Sequence, residues 1–224
     1  MKFKIKLTKK SLSDHFKYYI WIYVIAIAIS STFFSMSITM INNQAPPDQK
    51  LYSFVCGDAI SLDHFQKFHQ EMANAFPDLK VVSCENLGYN SGGSMAGTQK
   101  EKFLSLISNK YGDVLVIPYN EFADLAKEGV FEPLENDFAE YLEDVDPISL
   151  KTVTMKLQLD LSQDPETHVY GIPLSHLDFF PKYYDTTDKV IVITSFSQNK
   201  DNARLLVKWY LDYMIKTDWF GTKN

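Results

Sequence analysis

Residues 112–134, GDVLVIPYNEFADLAKEGVFEPL, decide the fold. Asp113–Pro118 is a run of branched apolar residues closed by a proline, which predicts a strand buried on both faces. Tyr119–Glu128 predicts a short helix, and Gly129 stands where a helix C-terminus favours glycine. Outward from this strand–helix unit the same rhythm repeats. Leu51–Cys56 (LYSFVC) predicts a buried strand. Asp58–Phe76 predicts a helix, with Ile60, Phe65, Phe68, Met72 and Phe76 at helical spacing and Ser61 as its cap. Leu79–Ser83 predicts a second strand and Gln99–Asn109 an amphipathic helix. Further on, Ile148–Leu161 and Asn202–Lys216 predict helices, and Val169–Leu174 and Val190–Ser195 predict strands. Strands alternating with helices imply an α/β domain of three layers with a mostly parallel sheet. The loops after Cys56, Cys84, Ile117 and Leu174 then line one edge of that sheet, where open α/β sheets bind ligands.

Upstream lies a segment of another kind. Tyr18 to Ile41 holds 24 residues without a formal charge, and ~20 apolar residues suffice to cross a bilayer as a helix. Lys2, Lys4, Lys6, Lys9, Lys10 and Lys17 precede it, opposed only by Asp14. The positive-inside rule therefore predicts a cytoplasmic N-terminus and an outer chain beyond about residue 42. The run exceeds the ~7–15 residues of a signal-peptide core, and no clean small-x-small cleavage site appears around Ser37–Gln44, which favours an uncleaved anchor. The expected division is a basic cytoplasmic tail (1–17), an anchor helix (18–41), a Pro46-Pro47 linker (42–50) and one outer domain (51–224) at the plasma membrane.

Six lysines and one aspartate give the tail +5, so the overall −6 leaves −11 for the remainder. An acidic outer domain argues against nucleic acid and against docking on anionic lipid. Cys56 and Cys84 both lie in that domain. An oxidising compartment favours a bridge between them, and neither has a Cys or His at zinc-ligand spacing.

At this point Gly112–Pro118 and Gly129–Leu134 resemble a passage of bacterial extracellular solute-binding proteins of the ABC-transporter type. In that family such a run belongs to the N-terminal lobe. Val169-Tyr170-Gly171-Ile172-Pro173-Leu174 is similar to the strand by which the family's chain leaves that lobe, and Ser195–Ala203 looks like its return segment. The resemblance covers most of residues 50–218 and implies one lobe of a type II periplasmic-binding-protein fold. Only Ser175–Asp188 stands where the family builds its second lobe. The resemblance thus implies an open shelf in place of a closing cleft.

The shelf is expected to be lined by Gly57 and Asp58, by Tyr89, Asn90 and Ser91 of the glycine loop, by Tyr119 and Asn120, and by Ser175 and His176. Such aromatic, amide, carboxylate and hydroxyl groups suit a neutral polar solute such as a sugar. They are also ordinary turn residues. The glycine loop Glu85–Thr98 matches neither the P-loop nor the dinucleotide pattern. The acidic stretch from Glu128 to Asp146 lacks EF-hand spacing and is expected to be a solvated face. No His-Glu-x-x-His and no Gly-x-Ser-x-Gly occurs, so neither metal, cofactor nor enzymatic activity is expected. Two functions remain: a solute-binding-like module that recognises a small polar solute or serves a transporter, or a protein-interaction module docking on a membrane transporter or sensor.

Overall fold

The computed structural model describes residues 9–42, 45–90, 95–143, 145–157, 166–175 and 184–216. The chain divides into two compact units, residues 1–45 and 46–224. The first contains one helix, α1 (Lys9–Asn42). Its stretch Lys17–Ile38, 22 residues, is long and apolar enough to cross a membrane, about 33 Å at the helical rise. Its large apolar side chains, among them Trp21, Phe33 and Phe34, are exposed within this chain. Thr32 and Ser37 donate their hydroxyls to the carbonyls of Ala28 and Phe33, which spends those polar groups inside the helix.

The second unit is a three-layer α/β fold. A short turn at Pro47–Gln49 leads into β1 (Lys50–Cys56). The carbonyls of Asp48 and Lys50 both accept from the Asn199 side chain at 2.9 Å, so the end of the expected linker is fastened to this unit. There follow α2 (Leu62–Ala75), β2 (Val81–Leu87), α3 (Ala96–Ser108), β3 (Val114–Pro118) and α4 (Tyr119–Lys127). After them come α5 (Ala139–Leu142), α6 (Pro147–Val153), β4 (Thr154–Leu157), β5 (Glu166–Val169), β6 (Ile172–Pro173), β7 (Lys189–Ile193) and α7 (Lys200–Lys216).

The main sheet has the order β2-β1-β3-β7-β6. The strands β1, β2 and β3 are mutually parallel, whereas β7 runs antiparallel to β3 and to β6. The sheet is therefore mixed and mostly parallel, with one strand reversed. Alternation of side chains sorts the core by face. Leu51, Val55, Val114, Val116, Ile191 and Ile193 pack with Phe68 and Met72 of α2 and with Leu206, Val207 and Tyr210 of α7. Phe54, Leu115, Ile117, Val190 and Val192 pack with Phe103 of α3 and Phe122 of α4. Burying an aromatic such as Phe68 on this scale contributes about 3–5 kcal/mol against alanine.

Several expectations are corrected. Ile148–Leu161 is not one helix: Thr154–Leu157 pairs antiparallel with Glu166–Val169 in a separate two-stranded sheet. The expected strand Val169–Leu174 is split, its first residue ending β5 and its middle forming β6. β2 continues past Ser83 to Leu87, because an edge strand tolerates the polar pair Glu85-Asn86. Ser61 stands at the N-cap of α2 but makes no capping bond; its hydroxyl pairs with His64. The Cys56–Cys84 bridge is also corrected. Both thiols are free and buried. Cys84 lies opposite Ser53, three residues from Cys56, so the pleat turns the two sulfurs to opposite faces of the sheet.

Candidate functional site

The carboxyl ends of β1 and β3 meet the amino end of the reversed β7, and this edge concentrates charge. Gly57 directly follows β1, and its φ of 107° favours glycine. A Cβ at Gly57 would stand 3.0 Å from Lys189 Cε and 3.1 Å from Pro118 Cγ, so its absence lets the three strands close up. The Asn90 amide N–H donates to the Gly57 carbonyl at 2.7 Å, which brings the start of the glycine loop to the same point. Beneath them Asn86 of β2 bridges the carbonyls of Val55 and Asp58.

Lys189 is the centre of the cluster. Its side chain is only 2% exposed, yet its ammonium lies 3.2 Å from Asp58 Oδ2 and pairs with Asp188. Burial works against the charge, but the carboxylates of Asp188 and Asp58 outweigh it and hold the ammonium above its ordinary pKa. The Tyr184 ring lies 5.6 Å from the ammonium, and its hydroxyl donates to the Cys56 carbonyl at 2.6 Å. The Tyr119 amide donates to the Asp188 carbonyl at 2.7 Å, and the Leu174 amide to the Lys189 carbonyl at 2.9 Å. The ends of β3 and β6 are thereby fixed to the same corner.

A second group stands beside the first. Tyr89 is turned inward, 8% exposed, packed on Phe103 and covered by the Lys100 ammonium 4.4 Å above its ring. Lys100 in turn pairs with Glu121. The Tyr89 hydroxyl and Glu121 Oε2 are buried without a hydrogen-bond partner among the described residues. Burial, followed by the charge of neighbouring acidic groups, pushes the Tyr89 phenol far above its ordinary pKa, so it stays a protonated donor.

Of the expected shelf residues, the structure brings Gly57, Asp58, Asn90, Tyr119 and Ser175 to one edge. Asn120 is exposed on the first turn of α4. Tyr89 offers its ring to Phe103 and Lys100 rather than to a solute, which leaves Tyr119, 36% exposed, as the open ring. Ser91 and His176 lie outside the described residues. Lys189 escaped sequence reasoning. The available signal was a single Asp-Lys pair set directly before an apolar strand.

Chemically, the edge offers carboxylate acceptors, the Asn90 amide, one ring face and an ammonium already neutralised by two acids. Among the described residues no group of three or more His, Cys, Asp or Glu could hold a metal ion.

No family model matches the chain, and no curated protein matches it. Solved structures do. An extracellular solute-binding protein family 1 structure from Alicyclobacillus acidocaldarius is 18% identical with a TM-score of 0.41, over 58% of this chain and 29% of that one. An ABC transporter solute-binding protein from Agrobacterium vitis with bound D-mannitol is 18% identical with a TM-score of 0.38, over 56% and 27%. One from Thermotoga lettingae bound with α-D-tagatose is 17% identical with a TM-score of 0.38, over 55% and 28%. The chain thus spans less than a third of the length of these structures.

Proposed function

We propose that the chain is a membrane-anchored, extracytoplasmic solute-binding-like module that recognises a small polar solute or serves a transporter, and catalyses no reaction. The observation that carries this is unspent hydrogen-bonding capacity at the carboxyl edge: among the described residues the Tyr89 hydroxyl and Glu121 Oε2 are buried without partners. Such groups cost about 1–3 kcal/mol each when left unmade, and a hydroxyl-rich solute or its bridging water supplies what they lack. The lysine-rich tail and the apolar α1 support a single-pass anchor at the plasma membrane with the α/β unit outside. A tether of this kind keeps the module at high effective concentration beside a transporter.

One observation favours the other role, a protein-interaction module docking on a membrane transporter or sensor. Lys189 is already satisfied by two carboxylates and Tyr89 is covered, so much of the edge is closed to small solutes. Thermal unfolding of the full chain in nanodiscs against sugars, polyols and amino acids separates the two. A solute at 100 times its Kd stabilises the fold by ~2.7 kcal/mol. A panel that shifts nothing assigns the module to a protein partner.

A further inference from the structure

At the opposite end of the sheet lies a cavity of about 210 Å³. Lys50 and Tyr52 at the start of β1, Lys110, Tyr111 and Asp113 before β3, and Phe196 after β7 line it. Tyr52 and Tyr111 face each other at 4.5 Å, tilted by 40°. Tyr111 keeps 39% of its surface open.

The backbone at this cavity carries a mark of constraint. Lys110 has φ 55°, the one positive-φ residue among the described residues that is not glycine. It stands just past the end of α3, where its N–H donates to Ile107 and the Tyr111 N–H to Leu106. This is the helix-ending geometry that glycine fills most readily. Two residues on, Gly112 has φ 114°, and a Cβ there would stand 2.8 Å from the Phe54 ring. The chain uses glycine at one left-handed position of this loop and keeps a long cation at the other, which points to a role for the side chain.

The charge of the cavity is settled by its pairs. Asp113 is spent inward: its carboxylate accepts the Ser197 hydroxyl at 2.6 Å and the Tyr52 N–H at 2.8 Å. Neither Lys50 nor Lys110 has an ion-pair partner among the described residues. Two free ammonium groups against one satisfied carboxylate leave the cavity net positive, in a domain that is strongly acidic elsewhere.

We infer that this cavity is a second binding site, separate from the carboxyl edge, for a small organic anion that carries a ring. The anionic group sits between Lys50 and Lys110, and the ring lies against Tyr111 and Phe196, where aromatic faces favour stacking. The carboxylate and the phosphate monoester are the two anions of fitting size and charge.

Calorimetric titration of the full chain in nanodiscs of neutral lipid tests this with benzoate and phenyl phosphate, using benzamide and inorganic phosphate as controls. Benzoate and phenyl phosphate bind at millimolar concentration or below, and both controls bind at least about tenfold more weakly, about 1.4 kcal/mol. Added salt weakens the binding. Lys50→Gln and Lys110→Gly each weaken it several-fold, while Lys110→Gly leaves the thermal midpoint unchanged or higher because glycine suits that backbone. Asp58→Asn and Tyr119→Ala at the other edge leave it unaltered. Benzamide binding as well as benzoate, full binding by both lysine variants, or no binding of either ring anion overturns the inference.

Discussion

Replacing Lys189 by methionine tests the charge cluster that organises the carboxyl edge. Methionine keeps most of the buried stem and removes only the ammonium. A fully buried ion pair broken on one side loses about 3–5 kcal/mol. Here the ammonium is buried, but the Asp58 and Asp188 side chains are 34% and 56% exposed. Water therefore reaches both orphaned carboxylates, and each lost pair falls toward the ~0.2–1 kcal/mol of exposed pairs. The expected loss is about 1–2 kcal/mol at neutral pH, read from urea unfolding. A double-mutant cycle with Asp58→Asn isolates the coupling, expected at about 0.5–1 kcal/mol. The pH dependence has a definite sign. The Lys189 pKa is raised in the folded state, so its contribution is complete below the unfolded value near ~10.4 and disappears as pH climbs through the folded one. The gap between wild type and Lys189→Met should persist to about pH 10 and narrow above it. A neutral or stabilising variant, or a coupling of zero, refutes the claim that this ion cluster holds the edge together.

Intact-mass measurement without reductant should find both thiols free, and thiol reagents should react slowly with the folded protein. Burial pushes Cys84 up to about 12 and Cys56 well above its ordinary value. Asp201, whose side chain is 97% exposed, is the position for a topology test. In intact cells Asp201→Cys should label with an impermeant maleimide; labelling only after lysis would reverse the orientation. Glu135 binds His168 and the Val169 N–H at the two-stranded sheet. Burial raises its pKa, but the His168 bond and the backbone donors outweigh that and hold it below the ordinary value. Its support is therefore present above about pH 4.3 and fades as pH falls through the lower folded pKa. Glu135→Gln should speed amide exchange in β4–β5 by less than about 1 kcal/mol at pH 7, and no change would show that the pair contributes nothing.

The buried centre of the sheet was legible because β1, β3 and β7 are apolar on both faces, and the helices because their apolar residues recur at helical spacing. Orientation was not legible in the same way. A strand such as Val190-Ile191-Val192-Ile193 is equally apolar read in either direction, so composition could not reveal that β7 is reversed. That reversal carries Lys189 to the carboxyl edge of β1 and β3. The failure at Ile148–Leu161 had a visible signal: Val153, Met155 and Leu157 alternate with Thr154 and Lys156, which is strand period. The cysteine pair required the register Ser53 opposite Cys84, a tertiary fact that two isolated strand segments do not contain. Asp58 and Tyr119 were legible as edge residues because one comes two residues after β1 and the other directly after β3. Tyr89 was legible as an edge residue but not as one turned inward, since that depends on Phe103 and Lys100 from the next helix.

Amide hydrogen exchange of the full chain with and without a stabilising solute tests most directly whether the carboxyl edge is the recognition surface. Protection gathered at 57–58, 89–90, 119–120 and 188–189 is the expected result. Protection absent there, or confined to 110–113 and 196–198 at the far end of the sheet, would contradict it.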